Sequence, residues 1–288
     1  MYDVLFAPSR GKYVGKKPNV DCLLCAIRDK NPEVWTRRIY QDEKVMVIMN
    51  IFPYSPGHVQ VIPTRHVEDL SELSDEELEY TLDFVQRSIK FVGGIMKPDG
   101  FNIGINLGKS GASIKHIHVQ IVPRYEEIPN MGQEEIHKMY LENVALLKNK
   151  IEVKETKKEC LCLKGKNYVL KKNPLVYVYE KPYNRGHVVV SPLNHVSDIN
   201  QLSSSDLLSL FKEVINAKNA IENIYHPVGF NIGMNIGNIP NSSSHLQIHV
   251  VPRYDPETGF MEVIGDTRVV VESLEQSYEK IKTVFMKE

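Results

Sequence analysis

The chain is poor in the features that mark secreted, membrane or nucleic-acid-binding proteins. Its four cysteines, Cys22, Cys25, Cys160 and Cys162, fall in two close pairs, too few and too clustered for an extracellular disulfide framework. Close pairs in a reducing compartment point instead to metal or redox chemistry. Lys and Arg total 35 against 36 Asp and Glu, so there is no net basic field to gather polyphosphate backbones, and nucleic acid is not an expected partner. No apolar run approaches the roughly eighteen residues needed to cross a bilayer, and Met1 to Arg10 lacks a basic segment followed by an apolar one. The expectation is a cytoplasmic protein with no membrane partner. Its 288 residues, 42% apolar and 25% charged, have the composition of an ordinary soluble protein and are enough for two domains.

What the chain does have is an internal repeat. Shifted by 129 positions, His58 to Tyr125 lies without gaps on His187 to Tyr254 with 26 of 68 residues identical, against roughly 4 expected from average composition. His58 meets His187, His66 meets His195, and Gly100-Phe101-Asn102-Ile103-Gly104 recurs as Gly229-Phe230-Asn231-Ile232-Gly233. The chain therefore divides into residues 1–150 and 151–288, two copies of one module.

Each copy reads as two strands, a helix and two more strands. In the first, strands are expected at Val45 to Asn50, His58 to Ile62, Phe101 to Asn106 and His116 to Val122, the first two joined as a hairpin through Pro53-Tyr54-Ser55-Pro56-Gly57. Ser74 with Glu77 makes a capping box, and Leu78, Leu82, Val85, Ile89 and Val92 follow at helical spacing; Ser203 with Asp206 repeats the device. Further helices are expected from Gln133 to Lys150, linking the halves, and from Glu272 to Phe285. The predicted class is α+β: two tandem modules, each an antiparallel sheet with one long helix, packed as an intramolecular pseudo-dimer.

Chemistry concentrates in Lys115-His116-Ile117-His118-Val119-Gln120-Ile121-Val122-Pro123. On a strand, residues 116, 118 and 120 would share one face about 7 Å apart, with Ile117, Val119 and Ile121 turned to a core. A single His-x-His is more often an amphipathic strand with exposed polar residues. Here, however, the loop Asn106-Leu107-Gly108-Lys109-Ser110-Gly111-Ala112-Ser113 lies directly upstream, and its backbone N–H groups and serine hydroxyls suit phosphate oxygens. Anion donors beside a nucleophile are what phosphoryl chemistry needs.

These residues resemble the histidine-triad superfamily, whose signature alternates His, His and His or Gln with apolar residues. The resemblance spans nearly the whole chain. The opening Leu5 to Val14, Cys22-Leu23-Leu24-Cys25 and the tail Gly259 to Arg268 resemble the microbial branch of diadenosine tetraphosphate phosphorylases and hydrolases. Gln120 resembles the transferase branches, galactose-1-phosphate uridylyltransferase and ATP adenylyltransferase. By this resemblance His118 would attack the α-phosphorus of a nucleotide and form a covalent nucleotidyl-imidazole, while Gln120 donates to a phosphate oxygen without supplying a proton. Asn50 matches the family's ribose contact, and Asn106, Gly111 and Ser113 its phosphate contacts. The second copy reads His245-Leu246-Gln247-Ile248-His249, with Gln247 at the position of His118 and Tyr179 at that of Asn50, so it is expected to be inactive and to serve as structural partner or regulatory nucleotide site.

Cys22-x-x-Cys25 alone suits a metal, a redox dithiol or two buried thiols. Some members of the family bind zinc through such a pair, a histidine matching His66 and the first triad histidine, here His116, so the resemblance implies one structural zinc. Cys160, Cys162, His195 and His245 look like a remnant of the same set. His58 and His187 are expected to be packing or hairpin residues. Three functions stand: a nucleotidyltransferase or phosphorylase on a diadenosine polyphosphate or ATP, a hexose-1-phosphate uridylyltransferase, and a nucleotide-binding or scaffold protein without turnover. The chain is expected to act as a pseudo-dimeric monomer or to form a further homodimer.

Overall fold

The computed structural model describes residues 19–109, 114–151, 153, 165–239, 242–254 and 273–285. Two compact units emerge: unit one is Met1–Ile105, Ser113–Val153 and Asn235–Ser242, and unit two is Asn106–Ala112, Lys154–Met234 and Ser243–Glu288.

Among its described residues unit one has, in order, a short helix, α1 (Leu23–Arg28), β1 (Arg37–Gln41), β2 (Val45–Met49), β3 (Val59–Pro63), the long helix α2 (Asp75–Met96), β4 (Gly100–Gly108), β5 (Val119–Arg124) and α3 (Gln133–Glu142). Its antiparallel sheet runs β1-β2-β3-β5 and then the first part of β4. Unit two repeats the plan with β6 (Val169–Lys172), β7 (Leu175–Val178), β8 (Val188–Ser191), α4 (Ser204–Tyr225), β9 (Gly229–Gly237), β10 (Ile248–Arg253) and a last helix, α5 (Leu274–Phe285). There the order is β6-β7-β8-β10 and then the first part of β9. The architecture is the expected α+β one, with an antiparallel sheet in each unit.

The long helices start where the sequence says. Ser74 accepts from the Glu77 N–H while the Glu77 carboxylate accepts from the Ser74 N–H, and Arg65 reaches that carboxylate at 2.7 and 2.8 Å, holding it down to about 2. Leu78, Leu82, Val85, Ile89 and Val92 are all buried, on the helix that packs against β3 and β5. Each contributes roughly 1.5–3 kcal/mol on burial, so a charge at any of them would separate helix from sheet. In α4, Ser203 accepts from the Asp206 N–H, and Leu207, Leu210, Val214 and Ile221 are buried in the same way.

Several elements depart from expectation. Helix α1 is too short for a periodic signal and exists because Leu24 and Ile27 are buried with Met46, Ile48 and Ile62. Strand β1 was not anticipated, since Arg37-Arg38-Ile39-Tyr40-Gln41 shows little alternation; Arg37 is buried there by stacking on Trp35 and pairing with Glu134. The helix expected to reach Lys150 stops at Glu142, where the Asn143 amide donates to the Met139 carbonyl at 2.9 Å, and the chain continues as a 3-10 turn from Val144 to Lys148.

The β2–β3 connection is clamped by hydrogen bonds from hydroxyl groups. Tyr125 donates to Pro56 O and Tyr140 to Gly57 O, each at 3.0 Å, and Ser55 donates to Pro123 O. Gly57, at φ +82°, occupies backbone space that a side chain would strain. The anchored turn fixes Asn50 and His58 at its two ends.

Candidate metal centre and nucleophile site

Cys22 is the residue capping α1 and Cys25 lies in that helix's first turn, so their side chains share its N-terminal end. Both are partly exposed. His66 arrives on the chain between β3 and α2, and His116 stands just before β5. One donor atom from each of the four lies within 4.8 Å of all the others. Cys22 Sγ is 3.6 Å from His116 Nδ1, while Cys25 Sγ is 3.5 Å from His116 Nδ1 and 3.3 Å from His66 Nδ1. A tetrahedral zinc with bonds of about 2.3 Å to sulfur and about 2.0 Å to nitrogen places such donors roughly 3.5 Å apart, so the set fits that ion.

The tautomers suit the fit as well. His116 Nε2–H donates to Pro63 O at 2.9 Å, which leaves Nδ1 with its lone pair directed at the cysteines. Burial pushes the His116 imidazole down to about 4, which keeps it neutral. Burial, with Cys22 beside it, pushes the Cys25 thiol up to about 11; a bound divalent cation supplies the opposite influence and deprotonates a coordinating thiol. These four residues, singled out from sequence, come together in space.

His118 follows directly. Its Nδ1–H donates to the His116 carbonyl at 2.9 Å, which places the lone pair on Nε2. Burial holds this imidazole below its ordinary range, so it is neutral near pH 7. The segment is not the strand expected from His116 onward: β5 begins at Val119. Before it, the Ile117 N–H donates to Val67 O at 2.8 Å, and His116 turns to Pro63, so the chain is held by the segment between β3 and α2 rather than by a ladder. Nor are the histidines an exposed polar face, since His116 and His118 are both buried alongside Ile117, Val119 and Ile121. Gln120 sits within the sheet, opposite Gln60 on β3 and Gly104 on β4.

The expected nucleotide contacts are more scattered. Asn50 Oδ1 accepts from the Phe52 N–H at 2.9 Å. Asn106 falls in unit two, where its Oδ1 accepts from Asn231 Nδ2 at 2.7 Å, and Arg253 in turn donates to Asn231 Oδ1 at 2.9 Å. Unit one holds the matching relay, Arg124 to Asn102 to Asn235, at 2.7 Å for each bond. Gly111 and Ser113 lie outside the described residues, as do Cys160 and Cys162 and the opening and tail segments used in the resemblance.

In unit two the position of His118 is Gln247, and the neighbourhood differs from that of the first copy. The Tyr183 N–H donates to His187 Nδ1 at 3.0 Å, which makes His187 Nε2–H the donor to His249 Nδ1, also at 3.0 Å. Tyr179 packs edge-on against His249, centroids 5.0 Å apart. Burial pushes His187 down to about 3 and His249 down to about 4. In unit one the Tyr54 N–H donates to His58 Nδ1 in the same way at 3.3 Å, so both histidines are hairpin residues as expected. The imidazole–imidazole bond was not anticipated; its only sequence signal was a histidine at 249 in place of Gln120. His245 Nε2–H donates to Pro192 O at 2.7 Å, repeating the link between His116 and Pro63.

The chain matches the HIT domain over residues 31–127 and again over 166–256, and it belongs to that family, with two copies of the domain in tandem. It is 41% identical over 83 residues to the AP-4-A phosphorylase of Mycobacterium tuberculosis, a match covering 28% of this chain and 43% of that protein, so the chain spans less than half of that relative. Among solved structures, an ADP-glucose phosphorylase from Arabidopsis thaliana with bound ADP-glucose superposes with a TM-score of 0.67 at 17% identity, covering 96% of this chain and 94% of that one. A uridylyltransferase does so with a TM-score of 0.63, also at 17% identity, covering 86% of each chain. At such identities these two share the fold. Among the described residues, no helix is long and apolar enough to cross a membrane.

Proposed function

We propose that residues 1–150 form a catalytic module that transfers a nucleotidyl group from a dinucleoside polyphosphate or ATP through a covalent intermediate on His118, and that residues 151–288 are its degenerate partner. The observation that carries this reading is the bond from His118 Nδ1–H to the His116 carbonyl, with burial keeping the ring neutral. It leaves Nε2 as a lone-pair nucleophile of fixed direction. In the first displacement an Nε2–P bond forms as the bond from the α-phosphorus to the departing polyphosphate oxygen breaks; in the second, an acceptor oxygen displaces Nε2. Gln120 donates to a phosphate oxygen without delivering a proton, which suits a leaving group that departs as phosphate. Asn50 has its side-chain oxygen already accepting a bond, so its NH₂ group would meet the ribose, and the phosphate contacts proposed by the resemblance are Asn106, Gly111 and Ser113. An amide at Gln247 cannot form the intermediate, which is why the second copy is assigned no turnover.

One zinc, held by Cys22, Cys25, His66 and His116, belongs to the same reading. When bound, it supplies a closed structural tie that fixes the chain just before β5. The similarity to an AP-4-A phosphorylase favours adenosine polyphosphates, whereas Gln120 favours a second reading, hexose-1-phosphate uridylyl transfer.

Two incubations separate these readings: diadenosine tetraphosphate with inorganic phosphate, and UDP-sugar with hexose 1-phosphate, each followed by chromatography of the products. AMP transfer to phosphate is expected. UMP transfer alone would select the second reading. Turnover of neither, combined with tight nucleotide binding, would make the chain a binding protein.

A further inference from the structure

The same four donors that fit a zinc ion also set two thiol side chains close together at the surface. Cys22 caps α1 and Cys25 stands three residues on, so both project from one helix end. Both are partly exposed, and the Cys25–His66 contact is open to solvent. His116, by contrast, is almost fully buried and faces the pair from the protein side. A small oxidant therefore meets the sulfurs before the deeper histidine. The two sulfurs lie within 4.8 Å of each other, so a disulfide would close within a single turn of chain.

We propose that Cys22 and Cys25 form a peroxide-sensitive dithiol whose oxidation to a disulfide expels the metal and loosens His116. The inference rests on the zinc reading above. One thiolate attacks a peroxide oxygen, breaking the O–O bond to give a sulfenic acid and hydroxide; the second thiolate attacks that sulfur and releases the other oxygen as hydroxide. Two electrons pass from the sulfurs to the peroxide. Both anionic donors are lost, leaving His66 and His116, two neutral ligands, which is too few for a structural site. The consequence reaches His118 because its Nδ1–H is held by the carbonyl of His116 itself. A dithiol reductant reverses the exchange and restores the zinc site.

The test uses the full chain in a Cys160→Ser/Cys162→Ser background, purified gently and assayed for zinc before treatment. Hydrogen peroxide is then titrated in, with released zinc read by a chromogenic chelator and thiol state by intact mass after alkylation. The expected result is one zinc released per Cys22–Cys25 disulfide, reversed by dithiothreitol with added zinc. A Cys22→Ser variant should form no such bridge and show no reversible release. Zinc present at the start but retained at peroxide levels that oxidise a free thiol would overturn the redox proposal and leave the zinc reading standing. Zinc lost with the cysteines as sulfinic acids would do the same. A protein with no zinc before peroxide would overturn both.

Discussion

The imidazole pair in unit two, His187 buried and His249 partly so, makes stability depend on pH in a calculable way. His187 and His249 share one N–H···N bond, and each sits below its ordinary value because burial opposes the charged ring. Above pH 6.5 both are neutral in the folded and unfolded chains, and the contribution is constant. Below it the unfolded chain binds protons that the folded chain refuses, so stability falls until about pH 4 for His249 and about pH 3 for His187, where each ring is protonated in the fold as well. Between pH 7.5 and pH 5 a shift of this size costs about 2 kcal/mol for each histidine. With a urea dependence of roughly 2 kcal/mol per molar, that is about a 1 M shift in the unfolding midpoint per group. Protonation also breaks the geometry, since His249 Nδ1 would become a second donor facing His187 Nε2–H. The perturbation is His249→Gln, which copies the amide at Gln120 and can still accept from His187. Urea titrations at pH 7.5, 6 and 5 should show the variant losing about 1 M less than the wild type as pH falls. Equal pH dependence in the two proteins would refute the assignment of the hydrogen-bonded pair.

Two further perturbations test unit one. Gly57→Ala puts a Cβ 2.7 Å from the Tyr140 hydroxyl at φ +82°, and should cost about 1–3 kcal/mol in urea unfolding; an unchanged midpoint would mean the clamped turn is not held as described. His66→Ala removes a partly exposed donor from the four-residue cluster, so bound zinc should drop from near one equivalent to well below half by elemental analysis, and undiminished zinc would remove His66 from the ligand set.

Much of this was legible because duplication writes each feature twice. Ser74 with Glu77 and Ser203 with Asp206 mark both long helices by local capping chemistry, which needs no knowledge of tertiary structure. The candidate metal residues were legible only through the family resemblance, since the cysteine pair alone suits a metal, a redox dithiol or two buried thiols. What stayed hidden depends on distant contacts. Helix α1 forms only because the sheet buries Leu24 and Ile27, and β1 only because Trp35 and Glu134 accommodate Arg37. The strand start at Val119 rather than His116 was missed for the same reason, since Val67 and Pro63, some fifty residues away, take the hydrogen bonds that a ladder would have taken. Asn106 matches a phosphate contact through the family resemblance alone, and nothing local to it announces the bond its oxygen accepts from Asn231.

The central claim is that one imidazole, His118, accepts a nucleotidyl group while its counterpart in the second copy does not. The direct measurement is intact mass of the protein, followed by peptide mapping, after brief exposure to diadenosine tetraphosphate without acceptor, for the wild type, His118→Ala and Gln247→Ala. The account predicts an AMP-sized increment on the peptide bearing His118 in the wild type and in Gln247→Ala, and none in His118→Ala. An increment that survives in His118→Ala, or that vanishes in Gln247→Ala, would contradict it.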